Sequence, residues 1–291
     1  MGKYNLKSLK FLNFLKLQPE RQQRIAEAPD SFVRHASEYR PNQLAELLHP
    51  GVQHLRVSEI IDEAPGVKSY HLVPEETADG ECPALPAYFA AGQYLSIQLQ
   101  IDGSNITRPY SISSSPREAL DGRYMITVRK NADGFASGYI HETWETGTGV
   151  TASMPLGSFT YTSLRDAGTV VAIAGGSGIT PFRSMARAIA DGDEDFNLIL
   201  LYGTGTLKDA LFEEELLSLA ESCDRFTLIN VLSNAENETA EEQYSFRPVI
   251  EYGFITADII RKYAPNDSKY SVFLCGPQAM YRFADKEIAK L

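Results

Sequence analysis

Three short segments of the chain combine residue types that bind phosphate and contact flat rings. The first, Arg108-Pro109-Tyr110-Ser111, offers a guanidinium, a phenol and a hydroxyl close together. A guanidinium donates paired hydrogen bonds to a phosphate. Because alternate side chains of a strand share a face, Arg108 and Tyr110 can point towards one ligand, while Ser111 reaches it only if the strand bends. The segment therefore predicts one wall of an anion-binding site.

The second segment is the run Gly-Gly-Ser-Gly-Ile-Thr-Pro at residues 175–181. Gly176 and Gly178 let a pyrophosphate approach the backbone closely, and Pro181 suits the first turn of a helix, where its missing N–H costs nothing. The run is not the GxGxxG dinucleotide fingerprint, because Pro181 stands where the last glycine would be. It indicates a strand-to-helix turn of the kind that many nucleotide-binding proteins use.

The third segment, Cys275-Gly276-Pro277, lies between the last apolar run and the last predicted helix. A buried cysteine is more often a small apolar side chain than a reactive group.

A further stretch, Val128-Arg129-Lys130 followed by Gly134-Phe135-Ala136-Ser137, predicts a glycine-led turn into a helix. Free backbone N–H groups, the helix dipole and the Ser137 hydroxyl suit an anion there, although a hairpin loop capped by Ser137 explains the same residues.

The elements that must position these segments change character along the chain. Up to about residue 154, short β-rich runs separated by glycine, proline and Asp-Gly predict a small antiparallel barrel. The predicted strands cover residues 55–61, 69–73, 93–101, 108–113, 124–128 and 150–154, with one helix near 137–145.

After Asp166, apolar runs without strict alternation come between helices, which indicates parallel strands buried on both faces. The predicted strands cover residues 169–174, 197–202, 226–232 and 270–274, and the predicted helices follow Pro181, Phe212, Thr256 and Gln278. An open α/β sheet of this kind binds its ligands beyond the carboxyl ends of the strands. The acidic stretch 236–243 is expected to be a solvated loop.

Together and in this order, the segments resemble the ferredoxin–NAD(P) reductase family of flavoproteins, over roughly residues 51–291. The resemblance implies a two-domain fold: an antiparallel β-barrel FAD-binding domain at 51–162 and an open parallel α/β NAD(P)-binding domain at 163–291, after a helical extension at 1–50. It implies FAD and NADH (or NADPH) as cofactors. The implied activity moves hydride from NAD(P)H to FAD and then single electrons to an iron–sulfur acceptor.

The resemblance also implies roles for individual residues. Arg108 meets the flavin pyrophosphate, Tyr110 lies against the flavin and Ser111 reaches its N5 atom. The turn from Gly134 to Ser137 makes a second pyrophosphate contact, with Val128 to Lys130 on the adenosine side. The residues implied for the nicotinamide dinucleotide are Gly176, Gly178, Thr180, Pro181, Gly203, Cys275, Gly276 and Pro277. Ser111 and Cys275 are the predicted catalytic residues, with Cys275 shaping the hydride path.

A charge argument favours NADH over NADPH. Relatives that use NADP carry Ser-Arg after the third strand of the α/β domain, whereas this chain has Ser233-Asn234 there, followed by Glu236 and Glu238. The two carboxylates would repel a 2′-phosphate. The segment Thr204-Gly205-Thr206, after the second strand of this domain, also lacks a basic residue, although Lys208 is nearby.

Composition excludes several other classes of function. The net charge of −11 argues against non-specific nucleic-acid binding. The three cysteines and five histidines lack the spacing of metal ligands, so we expect no metal or iron–sulfur cluster within the chain. No apolar run is long enough to span a bilayer, and the first residues lack the apolar core and cleavage site of a signal peptide. The three widely spaced cysteines make a reducing cytoplasm the expected location.

Two features of the sequence bear on partners. Residues 1–50 open on a basic amphipathic stretch that could contact a membrane surface or a partner, but we favour an extension packed on its own domain because no second anchoring signal accompanies it. No 2Fe–2S domain of the kind found in some relatives lies within the sequence, so we expect an iron–sulfur partner or a missing C-terminal 2Fe–2S domain. The alternative is a non-autonomous electron-transfer or regulatory subunit of a larger redox complex.

Overall fold

A computed structural model describes residues 51–75, 85–234, 248–266 and 268–291, together with Pro19, residues 22–24, Ala26 and Glu27. The described ranges from residue 51 onwards belong to one compact unit, residues 48–291. The helical extension predicted for residues 1–50 and the acidic loop predicted for 236–243 lie almost wholly outside the described residues. Among the described helices, none has the length and apolarity needed to cross a bilayer.

The first half of the larger unit is an antiparallel sheet of six strands. They are β1 Val52–Ala64, β2 Val67–Pro74, β3 Tyr94–Ile101, β4 Ser104–Ser111, β5 Tyr124–Arg129 and β6 Gly149–Ser153, in the order β4-β3-β6-β1-β2-β5. Buried and more exposed side chains alternate along strands of this sheet such as β3, where Leu95, Ile97 and Leu99 are buried and the residues between them face outwards. The sheet curls on itself, because Ile112, just after β4, pairs with Ile126 of β5.

Two helices belong to this barrel. The short α1, Pro116–Leu120, follows β4, and α2, Phe135–Thr143, follows β5. Helix α2 buries Ala136 and Ile140 in the barrel core. The predicted helix near 137–145 is therefore confirmed with a boundary two residues earlier, whereas α1 was not predicted, because five residues carry too little helical periodicity.

The second half is a parallel sheet of five strands with the order β10-β9-β8-β7-β11. The strands are β7 Thr169–Gly175, β8 Asn197–Thr204, β9 Phe226–Leu232, β10 Val249–Tyr252 and β11 Ser271–Cys275. Between them lie α3 Thr180–Ala190, α4 Glu213–Ser222 and α5 Ala257–Tyr263, and α6 Gln278–Ile288 follows the last strand. Residues 170–174 of β7 are wholly buried, as a strand covered on both faces requires.

The predicted fold class is confirmed: an antiparallel barrel precedes an open parallel α/β sheet. The four predicted parallel strands are present, and the sequence missed only β10 at the sheet edge, which is four residues long. The strand order places β7 and β8 at the centre, so the loops that follow them and β11 meet at one edge. This edge is where a doubly wound sheet binds its ligands.

Candidate active site

A cleft of about 950 Å3 lies at the carboxyl edge of the parallel sheet. It collects the ends of three strands, since Gly176 follows β7, Gly203 lies near the end of β8 and Cys275 ends β11. The structure thus brings together most of the residues that the sequence predicted for a dinucleotide. Those that line the cleft are Gly176, Gly178, Gly203, Cys275, Gly276 and Pro277.

The glycines of the cleft serve two different purposes. Gly176 has a φ of +52°, a conformation that a side chain disfavours, and a Cβ there would have open space, with its nearest neighbour 3.8 Å away. A Cβ on Gly178 would instead lie 2.5 Å from the Cys275 carbonyl carbon and 2.7 Å from the Gly276 Cα. Gly178 is therefore needed to let two loops pack backbone to backbone, and its predicted contact with a pyrophosphate stays a prediction.

Thr180 and Pro181 begin helix α3 and do not line the cleft. Thr180 is buried and its hydroxyl donates to the Ser177 carbonyl at 3.1 Å, which closes the 3₁₀ turn Gly176–Ile179. Their observed part is to start the helix, and the predicted nicotinamide contact of Thr180 stays a prediction.

Cys275 lies half-buried between the cleft and helix α6. Burial raises the pKa of its thiol, and the hydrogen bond from Tyr281 opposes this only in part, so the thiol stays protonated at neutral pH. A neutral thiol is a poor nucleophile, which agrees with a shaping role. The Tyr281 hydroxyl also donates to the Leu274 carbonyl at 3.3 Å.

Arg129 reaches the dinucleotide cleft from the barrel. Its Nη2 lies 3.8 Å from the position that a Cβ on Gly176 would take, and the residue lines the cleft. Among the described residues, no carboxylate lies in ion-pair range of Arg129. The sequence predicted Arg129 for the adenosine side of the flavin, whereas the structure turns its side chain towards the glycine-rich turn.

Tyr202 does not line the cleft, but its buried hydroxyl is hydrogen-bonded to two backbone segments near it. The side chain is fully buried in β8, and its hydroxyl donates to the Gly176 carbonyl at 3.1 Å while accepting from the Leu211 N–H at 3.0 Å. Burial raises the pKa of this phenol well above its usual value, so it remains a donor. The hydroxyl therefore ties the glycine-rich turn to the loop after β8, a role that the sequence does not reveal.

The barrel offers a second site where β4 and β5 separate. The pair Ile112–Ile126 and the bond from Ser113 N–H to the Met125 carbonyl at 2.7 Å set an antiparallel register between the two strands. Continued along the strands, this register places Tyr110 opposite Val128 and Arg108 opposite Lys130. The described structure has no ladder hydrogen bonds at those two positions, so the strands enclose a gap.

The gap is lined by residues of the first sequence segment. Arg108 is exposed, and its Nη1 donates only to the neighbouring Thr107 carbonyl at 2.9 Å, without a carboxylate among the described residues. Tyr110 is half-buried against the barrel core, and burial raises the pKa of its phenol. Ser111, also half-buried, ends β4.

The turn from Gly134 to Ser137 begins α2 beside the end of β5. The Ser137 hydroxyl accepts from the Asn131 N–H at 3.2 Å and donates to the Gly134 carbonyl at 3.3 Å. A Cβ on Gly134 would collide with this hydroxyl, so glycine is required there. In the described structure Ser137 caps the loop, and the predicted contact of this turn with a pyrophosphate stays a prediction. Phe135 is exposed and Ala136 is buried.

Both sites suit the groups that the sequence predicts. Arg108, whose guanidinium pairs with no carboxylate among the described residues, and the half-buried ring of Tyr110 lie on β4, and the nine-residue helix α2 begins shortly after the end of β5. These are groups of the kind that bind a pyrophosphate and a flat ring. The cleft offers a glycine turn with a positive φ at Gly176 and the guanidinium of Arg129, which pairs with no carboxylate among the described residues.

The sequence did not single out Asp209, Phe254 or Phe283, which also line the cleft. An apolar pattern cannot indicate which loop residues meet at a sheet edge.

Comparisons with known proteins identify the two halves. Residues 83–161 match the model of the oxidoreductase FAD-binding domain, and residues 172–286 match that of the oxidoreductase NAD-binding domain. The fold and the two sites therefore define an oxidoreductase that binds FAD and a nicotinamide dinucleotide. The chain belongs to the ferredoxin–NAD(P) reductase family of flavoproteins.

Its curated relatives include reductase components of oxygenases. The chain is 28% identical over 240 residues to the glycine betaine monooxygenase reductase subunit of Chromohalobacter salexigens, which covers 82% of this chain and 61% of the relative. It is 29% identical over 250 residues to the ferredoxin reductase component of 3-ketosteroid-9-alpha-monooxygenase of Mycobacterium tuberculosis, covering 84% and 64%. The chain thus spans less than two thirds of the length of these relatives.

Solved structures agree on the fold. The cytochrome P450 reductase GcoB of Amycolatopsis matches with a TM-score of 0.65 and 27% identity, over 83% of this chain and 67% of that one. Phthalate dioxygenase reductase, described as a modular structure for electron transfer from pyridine nucleotides to a 2Fe–2S centre, matches with a TM-score of 0.61 and 24% identity, over 82% and 64%.

Proposed function

We propose that this chain is an NAD(P)H-dependent reductase that passes electrons through FAD to an iron–sulfur acceptor. The observation that carries the proposal is the juxtaposition of a glycine-lined cleft with a barrel residue, Arg129, that reaches into it. The reductase components among the relatives support the same activity. Their names also support an acceptor that lies outside the residues described here, either a separate protein or a further 2Fe–2S domain, and a cytoplasmic location fits the cysteine content.

The residues of the chain contribute mainly positions and charges. Arg129 and the turn Gly176–Ile179 hold the pyrophosphate of the nicotinamide dinucleotide, and Cys275 leaves a small neutral surface beside the nicotinamide. Arg108 and the amino end of α2 hold the flavin pyrophosphate, while Tyr110 lies against the ring. FAD, when bound, supplies the chemistry that accepts an electron pair as hydride and releases electrons singly.

Ser111→Ala is expected to slow flavin reduction by about tenfold, the effect of one lost hydrogen bond of roughly 1.5 kcal/mol at the reacting atom. The reason is that the half-buried Ser111 hydroxyl is proposed to donate to N5 as hydride arrives. Stopped-flow absorbance at saturating NADH measures this rate, and flavin content should be unchanged. Ser104→Ala, at the exposed start of the same strand, is the control. Wild-type reduction kinetics in the Ser111 variant would remove the proposed role.

Asn234→Arg is expected to raise the efficiency with NADPH relative to NADH by about tenfold, since a guanidinium gains roughly 1–2 kcal/mol from a 2′-phosphate at a solvated site. Asn234 is exposed at the end of β9, and its Nδ2 lies 3.4 Å from the Cβ position of Gly205, which lines the cleft. The nearby Asp209 carboxylate supports the preference for NADH that we propose for the wild type. Steady-state kinetics with both dinucleotides provide the test, and an unchanged ratio would place the 2′ position elsewhere.

The decisive experiment is an absorbance spectrum of the purified protein with FAD, before and after anaerobic addition of NADH or NADPH. The expected result is that the flavin absorbance bands bleach when NADH or NADPH is added at a near-saturating concentration. Protein that stays colourless with added FAD, or a bound flavin that neither dinucleotide reduces, would contradict the proposal. Reduction of an added dye or ferredoxin by the isolated chain then separates a free-standing reductase from a subunit that works only within a larger complex.

A further inference from the structure

Arg183 crosses from the nucleotide half of the protein to the barrel. It lies on the first turn of α3, is 9% exposed, and its Nη1 donates to the Ser113 carbonyl at 2.5 Å. Ser113 is fully buried at the point where β4 and β5 meet, and its own N–H donates to the Met125 carbonyl. A side chain of the dinucleotide-binding half is therefore bonded to the backbone two residues after Ser111.

Two further partners besides the Ser113 carbonyl hold the Arg183 guanidinium. Its Nε donates to Glu215 Oε2 at 2.8 Å, and its carbon centre lies 4.8 Å from the centroid of the Phe212 ring. Phe212 has a φ of +60°, a costly conformation for a bulky residue that persists only where its surroundings hold it. These partners give the buried guanidinium one geometry, because its planar donors fit the carboxylate and the carbonyl at once.

Another polar contact between the two halves is weaker. Arg117 of α1 pairs with Asp193 at 2.6 Å, but half of the Arg117 side chain is exposed, and exposed pairs contribute little. Arg183 is buried, and its helix begins directly after the glycine-rich turn Gly176–Ile179. Helix α3 and the turn before it thus connect the dinucleotide cleft to Arg183, which is hydrogen-bonded to the Ser113 carbonyl just after the end of β4.

We propose that Arg183 is a positioning residue that sets the distance between the dinucleotide cleft and the flavin side of the barrel at Ser111. The inference rests on the proposed function. Hydride transfer depends steeply on distance, and a misplacement of about 1 Å costs on the order of 100-fold in rate. The proposed contacts of FAD all come from the barrel, and those of the dinucleotide come from the α/β half except for Arg129. Binding of either cofactor should therefore change much less than the rate of hydride transfer when Arg183 is removed.

The test compares Arg183→Met with Arg187→Met. Arg187 lies one turn further along α3 and also donates to Glu215, at 3.0 Å, but it makes no hydrogen bond to the described residues of the barrel. Removing Arg183 leaves Glu215 paired with Arg187, so no buried carboxylate loses every partner. For Arg183→Met we expect the limiting rate of FAD reduction by NADH to fall by about 10- to 100-fold. The dissociation constant for NADH and the FAD content should stay within about twofold, and Arg187→Met should match the wild type.

A second readout needs no cofactor. In the flavin-free protein, hydrogen exchange of the Ile112 and Ser113 amides should quicken by about tenfold in Arg183→Met and stay unchanged in Arg187→Met, because the buried grip on the strand end is lost. If Arg183→Met does not fold, Arg183→Lys replaces it, with the same direction of change. Wild-type rates and exchange in the Arg183 variants would overturn this inference alone. A wild-type protein that NADH cannot reduce would instead defeat the proposed function, while hydrogen exchange would still decide on the grip.

Discussion

Gly178→Ala is expected to reduce NADH-dependent flavin reduction by at least about 100-fold and to lower the free energy of unfolding by roughly 2–4 kcal/mol. The added methyl would overlap the Cys275 carbonyl and lie 2.7 Å from the Gly276 Cα, so two backbone loops must separate. Backbone cannot move aside as a flexible side chain can. Because both loops line the dinucleotide cleft, the displacement falls on the site itself.

The matched control is Gly168→Ala, which precedes β7 at an exposed position where a Cβ would meet nothing within 4 Å. Its unfolding free energy should change by less than about 0.5 kcal/mol, as for an ordinary surface position. Thermal unfolding, FAD content and stopped-flow reduction by NADH measure the effects. A Gly178→Ala protein with normal stability and normal reduction would show that the two loops do not pack as described.

Arg108→Ala is expected to weaken FAD binding by about 30- to 200-fold, because a charge-assisted bond to phosphate contributes roughly 2–3 kcal/mol. The exposed guanidinium donates to a neighbouring carbonyl but pairs with no carboxylate among the described residues, so folding does not depend on it. The unfolding free energy of the flavin-free protein should therefore change little. Fluorescence titration of the flavin-free protein with FAD measures the affinity.

Arg225→Ala supplies the control for that experiment. Arg225 is also exposed but precedes β9, at the edge of the sheet opposite the carboxyl ends of its strands. Its loss should leave FAD affinity unchanged. Equal affinities in the wild type and in Arg108→Ala would contradict the placement of the flavin pyrophosphate in the gap between β4 and β5.

The sequence predicted the fold because its two periodicities are strong. Alternating apolar residues in β3 and uninterrupted apolar residues in β7 distinguish an antiparallel strand from a parallel one. The four-residue β10 has neither pattern over enough positions, and its place in the sheet depends on pairing with β9. Local propensity cannot specify a pairing that is set by a distant strand.

The sites were predicted in composition but not in detail. Glycine-rich turns and arginines are common in phosphate-binding sites. The sequence therefore singled out the segments at Arg108, Gly176 and Cys275 from their residue types and their order along the chain. The direction of the Arg129 side chain depends on how the barrel packs against the sheet, which spacing along the chain does not encode. For Gly178 the sequence could not show the packing against Cys275 and Gly276, because a close approach of backbone to backbone and one of backbone to ligand both require glycine.

The packing of Met280 has a consequence for the durability of the enzyme. Its sulfur fills the space that Gly175 and Gly276 leave free, and the residue also borders the dinucleotide cleft. Conversion to the sulfoxide would add a polar oxygen where the neighbouring main chain leaves no room. Peroxide, which forms when reduced flavin reacts with dioxygen, would therefore disturb the contact between the first turn of α6 and the two glycines. A resident dinucleotide would shield the thioether, so oxidative ageing should be fastest in protein starved of its pyridine nucleotide.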